Sequence, residues 1–153
     1  MKIMSTFFVL GSLLLWSSVL LSQSDGDYRS KANGLWSATS TWEKFDGSNW
    51  VAASSSPTDS DGEITISAPN NVTIDAAVSA DQLKIKSNAT LIIKFSTVLS
   101  LKDQSGEDLE CDGTLWVQSG IINGPGTVQI NSGGTLKMVG GVLYGPGTYA
   151  TTI

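Results

Sequence analysis

The 153-residue sequence contains no histidine and a single cysteine, Cys111. Without histidine, the commonest general base and metal ligand is missing, so any chemistry would rest on carboxylates, lysine, tyrosine or hydroxyl groups. One cysteine can form neither an internal disulfide nor a thiolate metal site, and we interpret Cys111 as a small packing residue. These absences predict a protein that is not an enzyme, with no catalytic residues, no cofactor and no metal centre.

Basic residues are also scarce. The chain has 9 lysines and arginines against 14 aspartates and glutamates, which gives a net charge of -5. A nucleic-acid partner or an anionic membrane surface requires a clustered positive field. We therefore expect no nucleic-acid partner, and no membrane contact once the targeting segment has been removed.

That targeting segment is predicted at residues 1–24. Lys2 precedes an apolar run, which small polar residues follow up to a predicted cut after Ser24; this is the order of a secretory signal peptide. An uncleaved membrane anchor is the alternative, since an apolar stretch of this length could just span a bilayer. We expect a cleaved signal and a secreted or cell-surface protein.

The last third of the chain nearly repeats itself. Residues 113–128 and 134–149 align at an offset of 21, with half of the aligned positions identical. A Thr-Leu pair opens three such units, at Thr90, Thr114 and Thr135. A short, fixed period of this kind is typical of a solenoid, in which equivalent residues lie above one another. We therefore expect these threonines to form a ladder.

Apolar residues alternate from Ile64 onward, and this period of two indicates strands with alternate side chains in the core. The pairs are Ile64/Ile66, Val72/Ile74, Leu83/Ile85, Leu91/Ile93, Leu99/Leu101, Leu109/Cys111, Leu115/Val117, Val128/Ile130 and Leu136/Met138. Residues 124–126 and 145–147 both read Gly-Pro-Gly and mark one corner of successive coils. The predicted fold is all-β: a parallel β-helix, or β-solenoid, of about four coils of 21–24 residues. A sandwich would not need the same turn residues every 21 positions.

Residues 25–63 differ from the repeats because they contain Trp36, Trp42 and Trp50, whereas the repeats contain only Trp116. An Asp-Gly pair in residues 46–48 separates two strand-like runs and predicts a short hairpin. We expect a Trp-rich cap over the first coil of residues 64–153, since terminal repeats need covers. Alternatively, Trp36, Trp42, Trp50 or Trp116 could bind a glycan.

Two acidic segments are candidate calcium loops. Residues 59–62, which include Asp59 and Asp61, resemble part of such a loop but lack its further ligands. The second segment, from Asp103 to Asp112, is interpreted as a solvated loop between coils. The sequence leaves it open whether calcium binds at either segment, and we assign no metal-binding residues from the sequence.

Several short motifs resemble the amino-terminal part of secreted Bacteroidota-type surface proteins that carry a pectin-lyase-like, right-handed parallel β-helix. The motifs are Gly34-Leu35-Trp36, Thr41-Trp42, Pro57-Thr58 and Asp61-Gly62 before Ile64-Thr65-Ile66. The resemblance covers most of residues 30–140 and implies fold and export rather than a reaction. Such proteins are generally longer and often carry adhesive or polysaccharide-active regions.

The expected function is that of an exported, non-catalytic β-helical structural or adhesin-like surface module, part of a longer β-helix. One alternative is a glycan-binding module, whose partner would be a polysaccharide or cell-surface glycan. Another is a fragment of a polysaccharide lyase or hydrolase, but such a site needs convergent acids and a basic residue, and the repeats contain no arginine. Little follows Tyr149 to cover the last coil, which predicts end-to-end self-association through the carboxy-terminal coil.

Overall fold

The computed structural model describes residues 23–104, 107–144 and 149–151. They form a β-solenoid of about four turns, with three sheets whose strands come from successive coils. Residues 1–22 of the predicted signal peptide and the second Gly-Pro-Gly corner, residues 145–147, lie outside the described residues. Within the described ranges, no helix is long and apolar enough to cross a membrane.

From β5 to β16 each coil contributes one strand to each sheet, and these strands pair in parallel; the antiparallel pairs are β1 with β3 and β3 with β4, near the amino terminus. Sheet A contains, in spatial order, β17 (Tyr149–Thr151), β14 (Val128–Ile130), β11 (Leu109–Cys111), β8 (Leu83–Ile85), β5 (Ile64–Ile66), β1 (Tyr28–Ser30), β3 (Trp42–Phe45) and β4 (Trp50–Ala52). Sheet B contains β15 (Thr135–Val139), β12 (Thr114–Gln118), β9 (Thr90–Ile93), β6 (Asn71–Ile74) and β2 (Gly34–Leu35). Sheet C contains β16 (Val142–Leu143), β13 (Ile121–Asn123), β10 (Val98–Leu101) and β7 (Val78–Ala80). A 3-10 turn, Thr39–Thr41, precedes β3.

The predicted alternation of the strands is confirmed. On β12, Leu115 and Val117 are fully buried, whereas Trp116 between them is partly exposed. Parallel pairing places Leu91, Leu115 and Leu136 in one column, so like side chains stack on like through the core. The same register brings Thr90, Thr114 and Thr135 together, as the repeat predicted.

Coil length varies more than the sequence repeat predicted. Ile64 pairs with Leu83, and Leu83 pairs with Leu109, so the second of these two coils is clearly longer than the first. The difference arises at the corner between sheets C and A, where two residues join β7 to β8 but seven join β10 to β11. The longer corner leaves the strands that follow it in register, since β11 pairs with β8 over all three residues. Strand β7 was not among the predicted apolar pairs, since Val-Ser-Ala carries little hydrophobic signal.

The Trp-rich segment forms the predicted hairpin and also begins the solenoid. Strands β3 and β4 pair antiparallel around residues 46–49, and β1 and β2 pair in parallel with β5 and β6. Trp36 and Trp42 are buried, with ring centroids 5.0 Å apart and the rings steeply tilted. The Trp42 indole N–H donates to the Trp36 carbonyl at 2.8 Å, and the Trp36 indole N–H donates to the Pro57 carbonyl at 3.1 Å. These aromatic rings fill the first coil.

Two predicted side-chain environments are wrong. Met138 was expected to be buried in the core; it lies on the inner side, beside Val117 in register, but is 42% exposed because β15 is the outermost strand of sheet B among the described residues. Asp108 was expected in a solvated loop but is only 1% exposed. The loop from β10 to β11 turns back onto the stack just before Leu109, and the Asp108 side chain is enclosed there.

Candidate functional site

The main candidate site is a cleft between the hairpin and the outer face of sheet A, which we call the hairpin cleft. Its volume is about 230 Å³. The side chains that carry its chemistry are Arg29, Trp50, Glu63, Thr65, Lys84 and Lys86. They combine one aromatic wall with a floor of hydroxyl, carboxylate and cationic groups.

The floor of the cleft follows from the strand period. In β1, β5, β8 and β11, the first and last side chains are buried in the core and the middle one faces outward. Parallel register places these middle residues side by side: Arg29 beside Thr65, Thr65 beside Lys84, and Lys84 beside Glu110. The result is a polar row that runs along the stack across four coils.

The wall of the cleft is Trp50 on β4. The Arg29 guanidinium lies 4.4 Å from the centre of the Trp50 ring, which is a cation–π distance. Arg29 also donates to Glu43 Oε2, at 2.9 Å from Nε and 2.8 Å from the terminal nitrogen. The Phe45 ring lies 5.4 Å from the Trp50 ring between centroids. These contacts hold the indole in one place beside the polar row.

Ion pairs organise the charges of the floor. Lys84 Nζ contacts Glu63 at 2.8 Å and Glu110 at 3.6 Å, and Thr65 Oγ1 donates to Glu63 at 2.9 Å. Burial opposes the ionised form of Glu63, but the hydrogen bonds from Lys84 and Thr65 outweigh it and lower the pKa of Glu63. The hydrogen bond to Glu63 raises the pKa of Lys84. In the part of the chain that the structure describes, Lys86 takes part in no ion pair.

The structure separates the four tryptophans that the sequence offered for glycan binding. Trp36 and Trp42 are 1% and 0% exposed, so neither ring face is open to a ligand. Trp50 lines the hairpin cleft. Trp116 lies on the outer face of sheet B, between Ile92 and Lys137 in register, and Lys137 Nζ is 3.9 Å from its ring centre.

The polar residues of the cleft were not recognised as site residues from the sequence. Alternation placed Lys84 and Lys86 on the outer face of their strand, but it carried no information about which loop lies above them. Arg29 and Thr65 come from two segments, and only the pairing of β1 with β5 brings them together. The useful signal was the single arginine of the chain, Arg29, located on β1 in the same Trp-rich segment as Trp50.

The acidic residues of the first candidate calcium loop bind lysines instead. Asp61 Oδ1 lies 2.9 Å from Lys44 Nζ, and its other oxygen accepts from the Thr58 N–H at 2.9 Å. Asp59 Oδ2 lies 3.9 Å from Lys102 Nζ. Burial opposes ionisation of Asp61, but the hydrogen bond from Lys44 helps to lower its pKa. These carboxylates connect the loop to β3 and to the corner before β11.

Comparison with known proteins adds no family assignment. No family model matches the sequence, and the searches for similar curated proteins and solved structures find no significant match.

Proposed function

We propose that the protein is an exported, non-catalytic, adhesin-like β-helical surface module that binds a glycan in the hairpin cleft. The observation that carries this proposal is the position of Trp50 beside the polar row of sheet A. The stacked coils act as a rigid scaffold, and the hairpin adds the aromatic wall that a flat sheet lacks.

The chemistry of the cleft fits a sugar. Binding sites commonly combine aromatic surface with a few polar groups that determine orientation. An indole offers a flat apolar surface to a pyranose ring, while Glu63, Thr65 and Lys84 offer acceptors and donors to its hydroxyl groups. Hydrogen bonds to charged groups are about twice as strong as neutral ones. Because Lys86 forms no ion pair in the described structure, the cleft favours a glycan that carries carboxylate or sulfate groups.

The same geometry favours binding over cleavage. A glycosidase keeps one carboxyl group protonated by raising its pKa, and places a second carboxylate across the scissile bond. Glu63 has the opposite character, since Lys84 and Thr65 hold it ionised. Asp27, another carboxylate of the cleft, accepts the backbone N–H of Glu63 at 2.9 Å. Both carboxylates therefore have structural partners already.

The last described coil supports the proposal that the module belongs to a longer β-helix or associates through this end. Its inward-facing side chains are less covered than their counterparts one coil below: Met138 is 42% exposed whereas Val117 beside it is buried, and Leu136 is only partly buried whereas Leu115 is fully buried. Export and the relationship to Bacteroidota-type, pectin-lyase-like surface proteins are further parts of the proposal, and they rest on the sequence patterns.

A glycan array probed with the secreted chain tests this function. We expect acidic glycans to bind, Trp50→Ala to weaken binding at least about tenfold, and Trp116→Ala to leave it unchanged. Trp116 is the matched control because it is also a partly exposed tryptophan beside a basic side chain. Unfolding curves of both variants verify the fold. An equal loss of glycan binding in both variants, or no bound glycan, would contradict the proposal. Release of shortened glycan would show that the cleft cleaves glycans and would contradict the non-catalytic assignment.

A further inference from the structure

Two aspartates that the hairpin cleft does not use, Asp81 and Asp108, meet at the corner between sheets C and A. Asp81 lies two residues before β8, and Asp108 lies directly before β11 in the next coil. Their side chains are 6% and 1% exposed. The Oδ1 atom of each is buried without a hydrogen-bond partner among the described residues.

The neighbouring groups satisfy one carboxylate oxygen of Asp108 and surround the carboxyl group of Asp81. Asp108 Oδ2 accepts from the Thr127 N–H at 2.6 Å and from Thr127 Oγ1 at 2.9 Å. The two carboxyl groups lie within hydrogen-bonding reach of each other, and the Gln104 N–H is directed at Asp81. Asp103 adds a third negative charge nearby. Burial, followed by the proximity of Asp108, raises the pKa of Asp81.

No basic side chain compensates this charge in the described part of the chain. Lys102, on the same loop, pairs with Asp59, and Lys84 pairs with Glu63 and Glu110. A buried carboxylate oxygen without a partner is costly, and two adjacent carboxylates repel each other. The corner therefore has no positive charge to compensate its two buried oxygens that lack a hydrogen-bond partner.

We propose that Asp81 and Asp108 form a calcium site. Calcium takes carboxylate, carbonyl and water oxygens in flexible arrangements of six to eight ligands, whereas magnesium demands near-ideal octahedral geometry. The described residues contain no group of three or more His, Cys, Asp or Glu side chains placed for a metal, so carbonyl groups and water must complete the shell. A calcium site with few charged ligands binds weakly, so we expect a Kd of about 0.1–1 mM.

Such a site would strengthen the seven-residue corner between β10 and β11. Asp81 belongs to the coil that contains β8, Asp108 to the coil that contains β11, and Thr127, bound to Asp108, to the coil that contains β14. One ion would thus connect three successive coils where the seven-residue loop interrupts the regular stack. Binding to the folded state alone raises the unfolding midpoint.

Calorimetric titration with CaCl₂ and thermal unfolding in calcium or EDTA, at matched ionic strength, test the site. At a tenfold excess over Kd, we expect the midpoint to rise by about 5 °C. Asp81→Asn and Asp108→Asn should each abolish the rise. Asp108→Asn keeps an oxygen for Thr127 and gains an amide that can donate to Asp81, so the variant should fold. Glu110→Gln, on the outer face two residues later, should keep the response.

The site is overturned if calcium at about 10 mM, well above the expected Kd, produces neither heat nor a shift. It is also overturned if the two Asn variants respond as the parent chain does. A midpoint that falls as pH rises, without any calcium response, would show that the pair shares only a proton. An equal response to MgCl₂ would overturn the assignment to calcium.

Discussion

Leu115 is the side chain whose truncation tests the stacking of the coils most directly. It is fully buried on β12, between Leu91 and Leu136 in register. Leu115→Ala removes about three methylene equivalents, or about 2.4 kcal/mol of transfer free energy. The space left between two packed coils adds a cavity cost, so we expect a total loss of about 3–4 kcal/mol of unfolding free energy.

Leu136 is the informative comparison because it occupies the same column one coil later. It packs against the core but is only partly buried, since no further strand of sheet B covers it among the described residues. The same truncation there removes less buried surface, and we expect Leu136→Ala to cost about 1–2 kcal/mol. The difference between the two variants measures the contribution of being enclosed by coils on both sides.

Urea titrations monitored by tryptophan fluorescence would give both values by linear extrapolation. Phe95→Ala is the matched control, because this large apolar side chain is 76% exposed and its removal should change stability by less than about 0.5 kcal/mol. Equal losses for Leu115→Ala and Leu136→Ala would refute the reasoning. A large loss for Phe95→Ala would also contradict it, because an exposed side chain should contribute little to the free energy of unfolding.

Further substitutions test the corners and the hairpin cleft. Gly113→Ala should cost more than about 2 kcal/mol, because a Cβ there would overlap the Lys86 carbonyl oxygen of the coil below. Gly133→Ala meets no atom within 4 Å and should cost about 1 kcal/mol for its φ of +89°; similar thermal midpoints for the two variants would contradict this. Because its folded pKa is lowered, Glu63 contributes stability above about pH 4.3 that is lost as the pH falls further. Glu63→Gln should therefore weaken the fall in stability between pH 5 and pH 3 in urea titrations, and an unchanged acid dependence would count against the ion pair with Lys84.

Much of the fold could be predicted because its signals are local. The side chains of Leu115 and Val117 alternate with outward-facing neighbours in five consecutive residues, and strand geometry alone then places them on the same face. The hairpin from β3 to β4 needed only its Asp-Gly turn and the flanking strand-like residues. The threonine ladder followed from the aligned openings of the repeats. None of these required knowledge of which loop lies above which strand.

The candidate site could not be predicted in the same way, because its members are distant in sequence. Trp50 and Trp42 have similar local contexts, yet one lines the cleft and the other is fully buried, and the difference depends on which side of the hairpin faces the first coil. Arg29 acquires its role only when β1 pairs with β5. The alternation within one strand indicates which side chains face the core. It does not indicate which residues of other strands and loops lie beside them.

The sequence by itself determined that this chain folds as a stack of short strands, because the repeat offset and the alternation of apolar residues are properties of the chain's covalent order. Only the tertiary structure decided the width of each coil, the separation of the tryptophans into core and cleft, and the meeting of Asp81 with Asp108. The physical reason is that corners carry no periodic signal: two residues close one corner before β8 and seven close the next before β11. The contacts made by such loops are settled by the packing of the completed stack.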